Sequence, residues 1–237
     1  DVSTINNMKN MFSYAGFFNK DLDQWDVSNV TYMAQMFNRA TAFNGNISTW
    51  NVGKVETMRF MFHQATSING NISSWNVGSV TNMSTMFGDA TAFNNDIGQW
   101  DVSNVTDLIA MFNRATSFNR DLHNWNVSKV EHTRLMFSEA TSFNGDISTW
   151  DVSNITNMTR MFRGATSFAG DLSDWDVSNV ITMVSMLDGT KLSTSNYDRL
   201  LTKWAALPDL KSNVILGALG LRYCDGGLTG RATLIND

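Results

Sequence analysis

Asp146-Ile-Ser-Thr-Trp-Asp-Val-Ser-Asn-Ile155 decides how this chain is read. The stretch recurs with small changes every 25 residues and places tryptophans at Trp25, Trp50, Trp75, Trp100, Trp125, Trp150 and Trp175. Asp or Asn follows each of them, and then Val. A single irregular core does not produce tryptophans in strict register. Stacked repeats do, because each unit buries its apolar face only against its neighbours. The 237 residues are therefore expected to form one elongated solenoid rather than two compact domains.

Within a repeat, Leu22, Trp25 and Val27 sit at offsets 0, 3 and 5. That spacing matches the strand segment of leucine-rich repeats, with Trp in the second Leu position. Trp25 and Val27 would share one face of a strand, leaving Asp26 and Ser28 on the other. Val30, Met33, Met36, Phe37 and Ala40 follow at offsets 0, 3, 6, 7 and 10, which predicts a helix stripe. Ser128 and Glu131 have the spacing of a capping box. A helix of about three turns does not persist alone in water, so stacking must hold it. Ala40 to Asn44 then turns the chain back. The expected fold class is α/β: a leucine-rich-repeat-like solenoid, parallel strands on one face and short helices on the other. Helices need about 10 Å and strands about 4.8 Å, so the helix side should splay and leave the strands concave.

The solenoid is expected over 1–187, as seven Trp-centred repeats plus a partial first one. Asp1-Val2-Ser3 matches Asp26-Val27-Ser28, which predicts that the natural chain continues upstream. The period fails after Met186. Asn196 to Leu207 reads as an amphipathic helix stopped by Pro208, Asn213 to Cys224 as a strand, and Leu228 to Ile235 as a last short helix. Residues 188–237 are thus expected to form an α/β cap over the last open repeat, closed by Trp204.

Composition narrows function. A net charge of −5 and a pI near 5.1 disfavour nucleic acid, which needs a basic stripe. No apolar run approaches the length of a membrane span, so direct insertion is not expected. One Cys and three His give no metal-ligand spacing and no intrachain disulfide. No cofactor is expected; calcium is conceivable near Asp151 and Asp176, but the spacing does not support a ligand count.

The repeat I-S-x-W-D-V-S-N-V-x-x-M-x-x-M-F-x-x-A-T-x-F-N-x-D resembles that of BspA-type bacterial surface proteins. Similar patterns occur in mycoplasma surface lipoproteins and large bacterial adhesins. The resemblance covers Asp1 to Leu187, and the tail with Asn196-Tyr197-Asp198, Trp204 and Arg231 to Ile235 is similar to the segment that often follows such repeats. It implies an extracellular, cell-surface, non-enzymatic adhesive domain within a longer protein. It transfers no binding residues.

The Trp column reads as structural core, since large aromatics dominate buried area. The Asn column from Asn19 to Asn144 reads as an amide ladder serving the backbone of the turn. The column after Trp runs Asp26, Asn51, Asn76, Asp101, Asn126, Asp151 and Asp176. It is either a solvated strip or a hydrogen-bonding surface for an extended peptide or glycan. Candidate ligand-binding residues on that face are Gln99, Asp101, His123, Asn124, Asn126, Asp151 and Asp176. Asp23, Gln24 and Asp174 are irregular positions on it. The leading functional expectation is a non-enzymatic adhesion module that recognises a protein, peptide or cell-surface glycan. The competing one is a structural spacer or a self-association module such as a homodimer, with Phe60, Ile109 and Leu135 as an outward apolar patch. No carboxylate pairs with a distinctive His or nucleophile, so no catalytic residue is proposed.

Overall fold

The computed structural model describes residues 2–236; Asp1, part of the partial first repeat, and Asp237 lie outside them. The chain winds in 25-residue coils, each stacked on the next. Asn7, Tyr32, Thr57, Asn82, Asp107, His132, Asn157 and Thr182 form one file of parallel bridges through the stack. Each bridge is an isolated pair, and none extends into a strand. Among the described residues there are two helices, α1 (Thr194–Trp204) and α2 (Asp225–Asn236). Both lie beyond the repeats. The expected α/β solenoid of parallel strands and repeat helices is therefore wrong. The repeats are built almost wholly from turns.

Hydrogen-bond accounting over Met33 to Ala40 gives the reason. The N–H groups of Met33, Gln35, Phe37 and Arg39 donate forward to the carbonyls of Thr57, Arg59, Met61 and His63 at 2.7–3.2 Å. Those of Met36, Asn38 and Ala40 turn back onto Met33, Gln35 and Phe37 at 3.0–3.2 Å. A helix would spend all of them internally. Here every second donor stitches one coil to the next. Gln35 and Arg39 stand at φ 60° and 61°, which a right-handed helix forbids. Later coils repeat the pair, as at Phe60 and Gln64 (57° and 58°) or Leu135 and Glu139 (62° and 58°). Apolar residues three apart are thus closing turns. The mismatch between helix and strand spacing disappears, because flat turns stack at strand distance. With no helix layer to splay the coils, the grounds for a concave strand face disappear as well.

Thr85 holds φ 55° despite its branched Cβ, a costly combination. Thr85→Asn is expected to raise stability by about 0.5–1 kcal/mol, because Asn tolerates the left-handed region. Chemical denaturation checks it: an unchanged or lower midpoint contradicts stored strain at this turn.

The Trp-x-Val segments are not strands either. Turn bonds flank them: Trp50 N donates to Ile47 O at 3.2 Å and Val55 N to Val52 O at 2.9 Å. Side chains join the coils here. Trp50 Nε1 donates to Leu22 O at 2.8 Å, Trp100 to Ile72 O at 3.2 Å and Trp150 to Leu122 O at 2.9 Å. Trp50 to Trp175 are 2–3% exposed, while Trp25 in the first coils is half-buried. Indoles of neighbouring coils stack nearly parallel, with centroids 6.2 Å apart for Trp50 and Trp75 and 6.4 Å for Trp75 and Trp100. Phe37 and Phe62 stack beside them at 5.5 Å. The core is a bundle of aromatic and aliphatic files running the length of the stack.

The C-terminal unit differs from its sequence reading in detail. Ser193 caps α1 by accepting from Asn196 N at 3.1 Å, and α1 buries Tyr197, Leu200, Leu201 and Trp204. The expected strand from Asn213 to Cys224 reduces to one parallel bridge, Met183 to Leu216. α2 packs across α1 at Gly230, where a Cβ would fall 2.5 Å from Leu201 O. No described helix is long and apolar enough to cross a membrane.

Candidate functional site

The column after Trp is a file of Asx turns on the surface of the stack. Asp101 Oδ1 accepts from Ser103 N at 3.0 Å, Asn126 Oδ1 from Ser128 N at 3.1 Å, Asp151 Oδ1 from Ser153 N at 3.1 Å and Asp176 Oδ1 from Ser178 N at 3.0 Å. The Asx-Val-Ser spacing causes this, since a short carboxylate or amide reaches its own backbone two residues on. Serine hydroxyls add to it: Ser128 Oγ and Ser153 Oγ donate to the same oxygens at 2.7 and 2.6 Å. One Oδ of each column residue is therefore committed locally. All four side chains are exposed. Successive members lie across the same backbone, for a Cβ on Gly78 would meet Asn76 Oδ1 at 3.3 Å and Asp101 Oδ2 at 3.4 Å.

Charge follows from these bonds. The hydroxyl and N–H of Ser103 hold the Asp101 carboxyl below its ordinary value. Asp146, in a second file of Asx turns, is lowered by Ser148 N–H at 2.9 Å and then by its hydroxyl at 2.8 Å. Donors that favour the charged form set the direction.

Gln99, His123 and Asn124 are exposed beside the column. His123 contributes its carbonyl, which accepts from Thr149 Oγ1 at 2.6 Å. The three irregular positions pair otherwise. Gln24 donates to Asp23 at 3.1 Å, and Asp174 accepts from Lys203 of α1 at 2.5 Å. Asp174 thus ties the last repeat to the C-terminal unit. Phe60 is partly covered by Arg59, 4.9 Å above its ring, and by the edge of His63 at 5.4 Å. Ile109 and Leu135 are also only partly exposed.

The asparagine file forms a ladder between coils. Asn44 N donates to Asn19 Oδ1 at 2.8 Å, Asn69 N to Asn44 Oδ1 at 2.8 Å, and Asn144 N to Asn119 Oδ1 at 2.8 Å. Ala169, where the amide is missing, still donates to Asn144 Oδ1. Among the described residues no three His, Cys, Asp or Glu side chains converge on one point.

Two features escaped the sequence reading. His63 Nδ1 lies 3.0 Å from Gly88 O and 3.9 Å from Asp89, which also faces Arg114 at 3.9 Å. Burial lowers the His63 pKa. The positions 11 and 12 residues after Val27 and its equivalents differ from coil to coil, so no repeated motif announced this cluster. The second feature is a cavity of about 660 Å³ between the last repeat and the C-terminal unit, lined in part by Val180, Met183, Tyr197, Trp204 and Arg231. It draws on non-periodic sequence.

No curated protein matches the chain. A family model described as "Mycoplasma protein of unknown function" matches residues 1–99 and again 84–204. The two matches run through the tryptophan repeats and α1, and so the chain belongs to that family, DUF285.

Proposed function

We propose that this chain is a non-enzymatic binding module of a bacterial surface protein of the BspA type, displayed outside the cell. It engages a protein, peptide or glycan through the Asx face. One observation carries the reading: a file of exposed Asp and Asn side chains is already held by Asx turns on a stacked scaffold. Prefixed side chains lose little entropy on binding. The second carboxylate oxygens of Asp101, Asp151 and Asp176 accept and the amide N–H groups of Asn126, Asn76 and Asn51 donate, which offers a row of mixed polar groups to an extended polar ligand. No aromatic stands in this file, and aromatic and Arg anchors usually supply hot spots. Single contacts are accordingly weak, and many copies on a surface act through avidity.

The test is the triple change Asp101→Lys, Asn126→Lys and Asp151→Lys. Adhesion, or retention on a glycan and peptide array, is expected to fall by about tenfold or more, as opposite charge replaces the acceptors. Circular dichroism must match the parent. Unchanged adhesion by the folded variant contradicts this face.

A second reading, a passive spacer, draws support from the ladders themselves. The asparagine file and the Asx turns spend side-chain oxygens inside the molecule. A folded chain that stays silent on the array and in adhesion favours it.

A further inference from the structure

The cavity beside α1 has the composition of a small-molecule site. Its volume of about 660 Å³ falls within the range of about 300–1,000 Å³ typical of ligand pockets. It is open to solvent. Val180, Met183, Leu201, Trp204, Leu216 and Leu221 give it an apolar wall. Its polar side chains are two cations, two phenols and the amide of Asn213. Lys211 and Arg231 are cationic, and Tyr197 and Tyr223 carry phenol hydroxyls. None of the described lining residues is acidic.

Arg231 is placed rather than loose. It stands on α2 with its guanidinium 5.2 Å above the Tyr223 ring. That stack holds a planar donor at the rim of the apolar space. Tyr197 sits deeper, 7% exposed, on the buried face of α1. Trp204 shows its ring to the cavity but spends its N–H on Leu172 O at 3.2 Å. An incoming molecule therefore meets hydrocarbon inside and hydrogen-bond donors with positive charge outside.

We infer that this cavity binds a free amphipathic acid: an aliphatic chain inside, with its carboxylate at Arg231 and Lys211. Charge complementarity selects the anion. A cationic amphiphile of equal chain length would gain the same burial of its chain but bring like charge to the rim. The aliphatic chain gains by leaving water for a preformed apolar space. The site is separate from the Asx face, and it stands or falls independently of the adhesion reading.

The experiment titrates the full chain with laurate, and separately with dodecylammonium, both below their micelle thresholds, by calorimetry and thermal melting. Laurate is expected to saturate at one per chain and to raise the melting temperature, since it binds the native state. Dodecylammonium is expected to bind at least about tenfold more weakly. Arg231→Gln should cost laurate about tenfold, and Arg231→Gln with Lys211→Gln should abolish the preference for the anion. Ala218→Trp or Leu221→Trp, whichever keeps the parent's circular dichroism, should fill the cavity and remove laurate binding. If neither folds, the Arg231→Gln comparison decides. No saturable laurate binding up to about 1 mM overturns the proposal. So does equal binding of both amphiphiles, or binding that survives a folded cavity-filling variant.

Discussion

Trp100→Ala is expected to cost about 3–5 kcal/mol, the range for a large aromatic deleted from a packed core. Trp100 is 3% exposed, stacked on Trp75 at 6.4 Å and tilted against Phe87 at 6.4 Å. Removing it opens a void that cannot close, because the coils on either side are pinned at strand spacing by their own backbone bonds. It also takes a donor from Ile72 O, which Trp100 Nε1 reaches at 3.2 Å. Ile72 O keeps Trp75 N as a donor at 3.1 Å, so the lost indole bond costs about 0.5–1.5 kcal/mol. Trp100→Phe separates the two effects. It restores much of the apolar volume but no N–H, so its loss should approach the smaller figure. Because each coil is stable only through its neighbours, the damage should spread along the stack and broaden the urea transition. Far-ultraviolet and tryptophan-emission curves of the two variants check this. An alanine variant that unfolds like the parent yet loses a ligand would make the indole file a binding platform instead of a core.

The same tryptophans mark the limit of what could be read in advance. Their register announced stacked repeats, and the apolar stripe at Val55, Met58, Met61, Phe62 and Ala65 lies wholly in the core. What the stripe could not reveal was the backbone that carries it. Apolar residues three apart arise from a helix and from a chain of turns alike. The feature that separates them is left-handed backbone at two positions of each coil. Glycine would have flagged it. Most coils place other residues there: Phe60, Thr85, Ala110, Leu135 and Arg160, all at φ 53–62°. Gly164 and Gly189 are the exceptions. Stacking enforces the strained conformation, and so composition does not betray it. The site divides in the same way. Asx turns follow from Asp-Val-Ser and Asn-Val-Ser, whose local bonds need no partner from elsewhere in the chain. The cavity at Trp204 and Arg231 depends on how three non-periodic segments meet.

That meeting point carries the other large expected effect. A chain ending at Leu187 should aggregate, or fray from its last coils. The C-terminal unit continues the stack in two ways. Trp204 Nε1 donates to Leu172 O, the carbonyl equivalent to Leu22 O and Ile72 O, which the repeat indoles occupy in earlier coils. Leu187 N and Gly189 N donate to Gly217 O and Leu219 O at 2.8 and 3.0 Å, as every second N–H does between coils. Ion pairs from α1 to the last repeat, Arg199 to Asp171 and Lys203 to Asp174, bind the two together. Cutting at Leu187 removes all of these and bares Val177, Val180 and Met183, each at most 5% exposed in the intact chain. An open stack edge with apolar files and unpaired backbone donors is a template for association. Light scattering and limited proteolysis of the truncated chain provide the measurement. The single change Trp204→Ala in the full chain should give a milder form, with protease cuts confined to the C-terminal coils. A truncated chain that stays monomeric and resists protease as the parent does would mean that the last repeat closes itself. In that case the unit beyond it would contribute its cavity and not its cover.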